Sequence, residues 1–276
     1  NESAILAARR LISTITYEEF AESIDRVMFG PARKSRVISE REKEMTAYHE
    51  AGHAVAGHFL PNSDPIAKVT IVSRGHMGGY TKGLPEEDRH LWTEKQFKDQ
   101  MAMAMGGRLA EELHFEEVTT GASNDLEQAT NIARTMVTRY GMSQKLGPRT
   151  FGKREELVFL GREISEQRDY SDQIAEVIDS EVHELVDQAY ETAKVVLTQN
   201  RKVLIKLAKY LIENETAEGD ALNQLLDLNS DDPPEPPVAQ DKPPAQSVVE
   251  STSAEEQVVD GGGESSSTPR EQPGPA

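Results

Sequence analysis

The segment Thr46–His58, TAYHEAGHAVAGH, contains the pattern H-E-x-x-H, in which a glutamate directly follows the first of two histidines. Residues four apart lie on one face of an α-helix, so His49 and His53 can bind one tetrahedral zinc ion together. Glu50 points about 100° further round such a helix, where it can act as a general base beside the ion. The pattern therefore predicts a zinc hydrolase; the alternative is two structural histidines that share a helix face.

A catalytic zinc ion needs a third protein ligand and one open position. The extended metzincin pattern is excluded, because Ala56 and Phe59 stand where that class has Gly and His. Glu111 and Glu112, on a later predicted helix, are candidates, although such residues are more often solvated surface charges. Asp125 is a third candidate, in the first turn of its helix, where the helix dipole favours a carboxylate. Spacing alone leaves the choice among these residues open.

A second motif, GPRTFGKR at residues 147–154, matches a phosphate-binding G-x-x-x-x-G-K up to its last position. Arg154 stands where a Ser or Thr is needed to bind magnesium, and no apolar strand precedes the loop. The sequence therefore predicts no nucleotide site here and no cofactor-binding residue apart from the metal ligands.

The elements that position the H-E-x-x-H segment are mostly helical. Ser39 and Glu42 predict a capping box at the start of its helix, and Pro61 ends it. A β-branched strand at Ile66–Val72 and a possible return strand follow. Helical patterns then cover 93–115, 124–140, 171–199 and 200–214, before a last short helix. We predict a mainly α fold: a zincin-like helix with a small β-sheet as a minor α+β component, followed by a bundle of long helices.

The composition of the sequence divides the chain into three predicted regions. Residues 1–34 are predicted to contain two helices, and the segment GPARKSR at residues 30–36 has the composition of a linker, so we place a domain boundary near residues 30–38. Residues 35–228 form the predicted metallopeptidase domain. Residues 229–276 are acidic and rich in Pro, Ser and Gly, without an aromatic residue. Such a composition buries too little apolar surface to fold, so this tail is predicted to be disordered.

Composition narrows the possible partners. With 48 acidic and 30 basic residues, the net charge of −18 disfavours nucleic-acid binding. The absence of cysteine excludes disulfides and thiolate metal ligands, so a transition metal must bind His, Asp or Glu. No apolar run approaches the roughly 20 residues that span a bilayer, and no signal peptide is visible. We therefore expect this part of the protein to be soluble.

Longer stretches of the sequence resemble the FtsH family, the membrane-anchored, ATP-dependent zinc metalloproteases of the AAA+ class. The resemblance covers residues 1 to about 228 and corresponds to the C-terminal peptidase region of that family. The matching segments are ITYEEFAESIDRVMFGPARKSRVIS, YHEAGHAV, KVTIVSRG, GLPEED, GGRLAEEL, TTGASNDLEQAT, ARTMVTRYGMS, LGPRTFGKREE and VFLGREI. Together they are highly specific.

The resemblance implies a role for each candidate site residue. His49 and His53 match the two histidine ligands of zinc, and Glu50 matches the catalytic base that activates a zinc-bound water. The third ligand of the family falls on Asp125. Residues 1–34 resemble the C-terminal helices of an AAA+ lid subdomain. The module that binds ATP and Mg²⁺ has no counterpart in these residues, so a fragment without its own ATPase activity is expected.

The resemblance also implies partners and a location. We expect a homo-hexamer that degrades unfolded, misassembled or short-lived proteins. It would lie at the cytoplasmic face of a bacterial plasma membrane, or at an organellar inner membrane, through an N-terminal anchor that these residues lack. As a hypothesis, the strand Lys68–Val72 pairs with an extended substrate. The alternative function is a non-catalytic, hexamer-forming assembly module built from the long helices Ser171–Asn214.

Overall fold

The computed structural model describes residues 1–32, 38–75, 77–85, 88–152 and 169–227. Most of these residues are helical, and the strands form a single small sheet, so the predicted mainly α fold is confirmed. The elements in chain order are α1 (Glu2–Arg9), α2 (Tyr17–Phe29), α3 (Glu40–Phe59), β1 (Ile66–Thr70), β2 (Tyr80–Gly83), α4 (Glu94–Phe115), a 3-10 turn (Thr120–Ala122), α5 (Ser123–Thr138), α6 (Asp172–Gln199), α7 (Arg201–Asn214), β3 (Thr216–Glu218) and α8 (Gly219–Leu226).

Side-chain caps set the start of the two helices that build the centre of the fold. The Ser39 hydroxyl accepts a hydrogen bond from the Glu42 amide at 3.2 Å, which starts α3 where the sequence predicted. Thr93 and Gln96 form a complete capping box at the start of α4. These caps fix where α3 and α4 begin.

Helices α3 and α4 pack against each other unusually closely at two glycines. A Cβ atom placed on Gly52 would lie 2.3 Å from the carbonyl oxygen of Gly106, and one on Gly106 would lie 2.6 Å from the carbonyl oxygen of Gly52. Only glycine permits this approach, because the neighbouring atoms belong to rigid backbone. The buried side chains around this crossing are Ala47, Ala51, Ala54, Val55, Ala56, Met101, Ala102, Met105, Leu109 and Ala110.

The long helices cover the other sides of this pair. Helix α6 packs against α4 and α5, and α7 packs against α3. Their buried apolar residues, among them Ala193, Leu197, Leu204, Leu207 and Leu211, join the same core as α3 and α4. The bundle therefore holds α3, α4 and α5 in fixed positions.

The sheet is antiparallel throughout, with the strand order β2-β1-β3. Lys68, Val69 and Thr70 pair with β2 on one side and with β3 on the other. Because both edges of β1 are occupied at these residues, the prediction that this strand pairs with an extended substrate is wrong. The predicted return strand is present as β2.

Some sequence predictions fall outside the described residues. The tail 229–276 lies there, as do Lys153 and Arg154 at the end of the G-x-x-x-x-G-K match. Within the described part of the chain, every helix is too short or too polar to cross a lipid bilayer.

Candidate metal centre

Two histidine rings from consecutive turns of α3 face each other. The Nε2 atoms of His49 and His53 lie 3.1 Å apart, and their rings meet edge to face. His53 is only 8% exposed, and the side chain of His49 is 13% exposed. The helical spacing thus brings both imidazoles to one point beneath the surface, as H-E-x-x-H predicted.

Asp125 reaches the same point from the first turn of α5. Its Oδ2 atom lies 3.2 Å from His49 Nε2 and 3.4 Å from His53 Nε2. The three possible ligand atoms all lie within 4.8 Å of one another, which is compatible with a single metal ion. Of the candidate third ligands, Asp125 is therefore the one that the structure brings to the Nε2 side of both rings.

The outer nitrogen of each ring has its own partner. His53 Nδ1 lies 2.9 Å from the carbonyl oxygen of Met103, and His49 Nδ1 lies 2.7 Å from a carboxylate oxygen of Glu111. A carbonyl oxygen can only accept, so His53 Nδ1 carries a proton, and in the neutral ring Nε2 is the nitrogen that can offer a lone pair to a metal. The carboxylate of Glu111 favours the same tautomer in His49. This arrangement of outer acceptors is typical of metal-binding histidines.

The charges of the site favour a bound cation. Burial lowers the pKa of His49, but hydrogen bonds to Asp125 and Glu111 outweigh this effect and raise the pKa to about 10. Burial raises the pKa of Asp125, and hydrogen bonds to the two histidines lower it far below its ordinary value. The cluster therefore favours positive charge, and a divalent cation bound here would replace the proton between His49 Nε2 and Asp125. The residues fit a zinc ion in number, type and tautomer.

Glu111 and Glu112 point in different directions. Glu111 is 2% exposed, and it accepts hydrogen bonds from the backbone amide of Thr119 at 2.6 Å and from the Thr119 hydroxyl at 3.1 Å. It therefore supports His49 from behind. Glu112 accepts a hydrogen bond from the Tyr190 hydroxyl at 2.8 Å, on the side of α4 that faces α6.

Glu50 lies beside the two histidines and under strand β2. It is 6% exposed, and burial raises its pKa above the ordinary value. The Thr81 hydroxyl donates to its Oε2 atom at 2.9 Å and lies 3.0 Å from its backbone oxygen. A Cβ atom on Gly79 would lie 2.9 Å from the same carboxylate. Thr81 and Gly79 therefore fix the position of this side chain.

Sequence reasoning missed Gly107 and Thr81. A Cβ atom on Gly107 would lie 2.5 Å from His53 Nε2 and 2.6 Å from His49 Nε2. A signal was available in MAMAMGGRLAEEL, because two adjacent glycines in a helix interior are unfavourable unless a close approach requires them. No comparable signal marks Thr81, whose role depends on the sheet register.

Comparison with known protein families identifies the family to which this site belongs. The family model described as Peptidase family M41 matches residues 36–225, which include all four candidate site residues. The chain belongs to Peptidase family M41. The M41 match begins after α2, so the two N-terminal helices lie outside it.

Curated relatives of this M41 chain carry FtsH names. The chain is 60% identical over 227 residues to the "ATP-dependent zinc metalloprotease FtsH 1" of Sphaerobacter thermophilus, and 61% identical over 227 residues to the protein of that name from Thermomicrobium roseum. It is 52% identical over 235 residues to "ATP-dependent zinc metalloprotease FtsH 3" of Synechocystis sp.. These alignments cover 82% or 83% of this chain, and the resemblance to the FtsH family is confirmed.

The M41 chain is much shorter than these relatives. It spans 35% of the first two proteins and 38% of the third. Nothing in these likenesses favours the alternative of a non-catalytic assembly module.

Proposed function

We propose that the M41 domain of this chain is a zinc-dependent endopeptidase in which His49, His53 and Asp125 bind the metal and Glu50 is the catalytic base. The observation that carries the proposal is the convergence of His49 Nε2, His53 Nε2 and Asp125 Oδ2, with both Nδ1 atoms engaged elsewhere. The zinc metalloprotease names of the relatives support the same choice of metal.

A bound zinc ion supplies Lewis acidity, which lowers the pKa of water and polarises a carbonyl group. The protein supplies the proton transfers. Glu50 takes a proton from the attacking water and delivers it to the amine that leaves the broken peptide bond. Thr81 keeps the carboxylate oriented during both transfers.

The edge of β2 is the surface to which we assign the substrate backbone. Among the described residues, β2 pairs only with β1, so its second edge carries no strand. Thr81 of this strand contacts Glu50, which places an extended chain added here close to the base. Pairing through the backbone recognises unfolded polypeptides with little dependence on their sequence.

For the longer protein we propose the properties that the FtsH resemblance implies. The peptidase works with an ATP- and Mg²⁺-dependent AAA+ module, as a homo-hexamer, on unfolded, misassembled or short-lived proteins. A membrane anchor outside these residues holds it at the cytoplasmic face of a bacterial plasma membrane, with an organellar inner membrane as the alternative. Within this chain, we assign residues 1–34 to the helices of the AAA+ lid, residues 35–228 to the peptidase domain and residues 229–276 to the tail. The names of the relatives support the ATP dependence, and their bacterial sources favour a bacterial membrane over an organellar one.

Digestion of casein by a Glu50→Gln variant tests the proposed function. Loss of the general base should lower kcat about a hundredfold or more, while zinc content stays at the wild-type value. Glu40→Gln, on the exposed first turn of the same helix, is the matched control and should digest casein normally. A Glu50→Gln protein as active as the wild type would exclude the proposed mechanism.

A further inference from the structure

A buried carboxylate on α2 lies outside the M41 match but bonds to the sheet beside the metal centre. Asp25 is 1% exposed. Its Oδ2 accepts hydrogen bonds from the Tyr80 hydroxyl at 2.7 Å and from Lys68 Nζ at 3.0 Å, and its Oδ1 accepts one from Lys82 Nζ at 3.2 Å. One carboxylate of the N-terminal helices therefore binds three side chains of β1 and β2.

Strand β2 lies between Asp25 and the proposed catalytic base. Side chains alternate along a strand, so Tyr80 and Lys82 point to one face while Thr81 points to the other. The first two contact Asp25 on α2, and Thr81 donates to Glu50 on α3. The position of the Thr81 hydroxyl, and with it the Glu50 carboxylate, thus depends on how Asp25 holds β2.

Further contacts strengthen the attachment of α2 to this part of the molecule. Arg74 forms a two-pronged ion pair with Glu22, at 3.1 Å and 2.6 Å. The ring of Phe29 stacks on Tyr80 with centroids 4.2 Å apart. A Cβ atom on Gly75 would lie 2.8 Å from the carbonyl oxygen of Phe29. Helix α2 is therefore in close contact with the residues that precede and form β2.

We propose that Asp25 is a positioning residue for Glu50, acting through Tyr80 and the Thr81 hydroxyl. The inference rests on the proposed peptidase function and extends it to a helix outside the M41 match. Asparagine at position 25 would keep one acceptor oxygen for three donors and would remove the negative charge between the two lysines, so β2 would be held less firmly over α3. A displacement of a catalytic group by about 1 Å can cost as much as a hundredfold in rate.

A double-mutant cycle on casein digestion at saturating substrate tests this role in the whole 276-residue chain. Asp25→Asn should lower kcat about tenfold, since the base stays present but is less well placed. In a Thr81→Val background the hydrogen bond to Glu50 is already removed. There, Asp25→Asn should lower kcat by less than a further factor of about two. Zinc content should remain at the wild-type value in every variant. Glu181→Gln, which removes a carboxylate bonded to Ser143 and Lys145 far along α6, is the matched control and should leave kcat unchanged.

A purely structural role for Asp25 would give a different pattern. In that case Asp25→Asn would lower kcat by the same factor with and without the Thr81 hydroxyl, or it would lower the zinc content. Either result overturns the proposal. An unchanged kcat for Asp25→Asn also overturns it. If Asp25→Asn does not fold, Tyr80→Phe replaces it, because it removes one hydrogen bond and keeps the stacked ring, and the same outcomes decide. Loss of activity in Glu50→Gln together with additive effects at position 25 would reject this inference and leave the peptidase assignment intact.

Discussion

Gly107 of α4 lies directly against His53 of α3. A methyl group at position 107 would be 2.5 Å from the Nε2 atom of His53, on the side of the ring that faces Asp125. This distance is far below a normal van der Waals contact. The metal centre therefore requires a residue without a side chain at this position of the helix.

We predict that Gly107→Ala weakens zinc binding at least about tenfold, because the added methyl group occupies the space in front of the two histidine nitrogens. Alanine is otherwise favoured over glycine inside a helix by roughly 0.5–1 kcal/mol, so the substitution should not unfold α4 by itself. Zinc titration against a competing chelator measures the effect.

Gly78→Ala serves as the control for this substitution. A Cβ atom there would meet nothing closer than Thr46 at 3.8 Å, an ordinary contact distance. Wild-type zinc affinity in Gly107→Ala would show that the close packing described above is not required.

The adjacent residues Glu111 and Glu112 should differ in their effect on the site. Glu111→Gln removes the charge that holds His49 in its metal-binding tautomer, and such changes typically cost about 10–100-fold in metal affinity or activity. Glu112→Gln changes only a contact with Tyr190 and should have little effect. Isothermal titration with zinc, run on both variants, compares them directly. Equal losses in the two variants would contradict the orienting role of Glu111.

Asp25 should make stability depend on acid pH. Burial raises its pKa, but hydrogen bonds from Tyr80 and Lys68 outweigh this and lower it below its ordinary value of 3.8. Because the pKa is lower in the folded state, the stabilisation is complete at pH values well above 3.8 and is lost as the pH falls through 3.8 towards the folded pKa. Asp25→Asn lacks this contribution.

Urea unfolding at pH 7 and pH 3 measures this pH dependence, with a chelator present so that zinc release does not contribute. The wild type should exceed Asp25→Asn in free energy of unfolding at pH 7, and the difference should shrink at pH 3. An equal or larger difference at pH 3 would contradict the assignment of a lowered pKa to Asp25.

The sequence indicated the main helices and the metal-binding face because both depend on local spacing. The capping residues Ser39 and Thr93 mark helix starts, and the four-residue interval between His49 and His53 places both rings together on any α-helix. Asp125 was different: its position in a first helical turn is common, and only the resemblance to a family singled it out from Glu111.

Contacts between distant segments were not predictable in this way. The composition of β1 predicts a strand, but it does not show which strands pair with it. The sequence therefore points to β1 as the strand that binds substrate, although both edges of β1 are occupied in the fold. The hydrogen bonds that Asp25 accepts from Lys68 of β1 and Tyr80 of β2 join residues more than 40 positions apart. No local pattern contains such information, because it arises from the packing of α2 on the sheet.

The zinc content of the purified chain, before and after Asp125→Ala, tests the central claim most directly. After dialysis against metal-free buffer, the wild type should retain about one zinc ion per chain, and the variant should retain much less, since two histidines alone leave the site without its third ligand. A wild-type chain that binds no zinc, or a variant that binds it as tightly as the wild type, would contradict the assignment of His49, His53 and Asp125 as a metal centre.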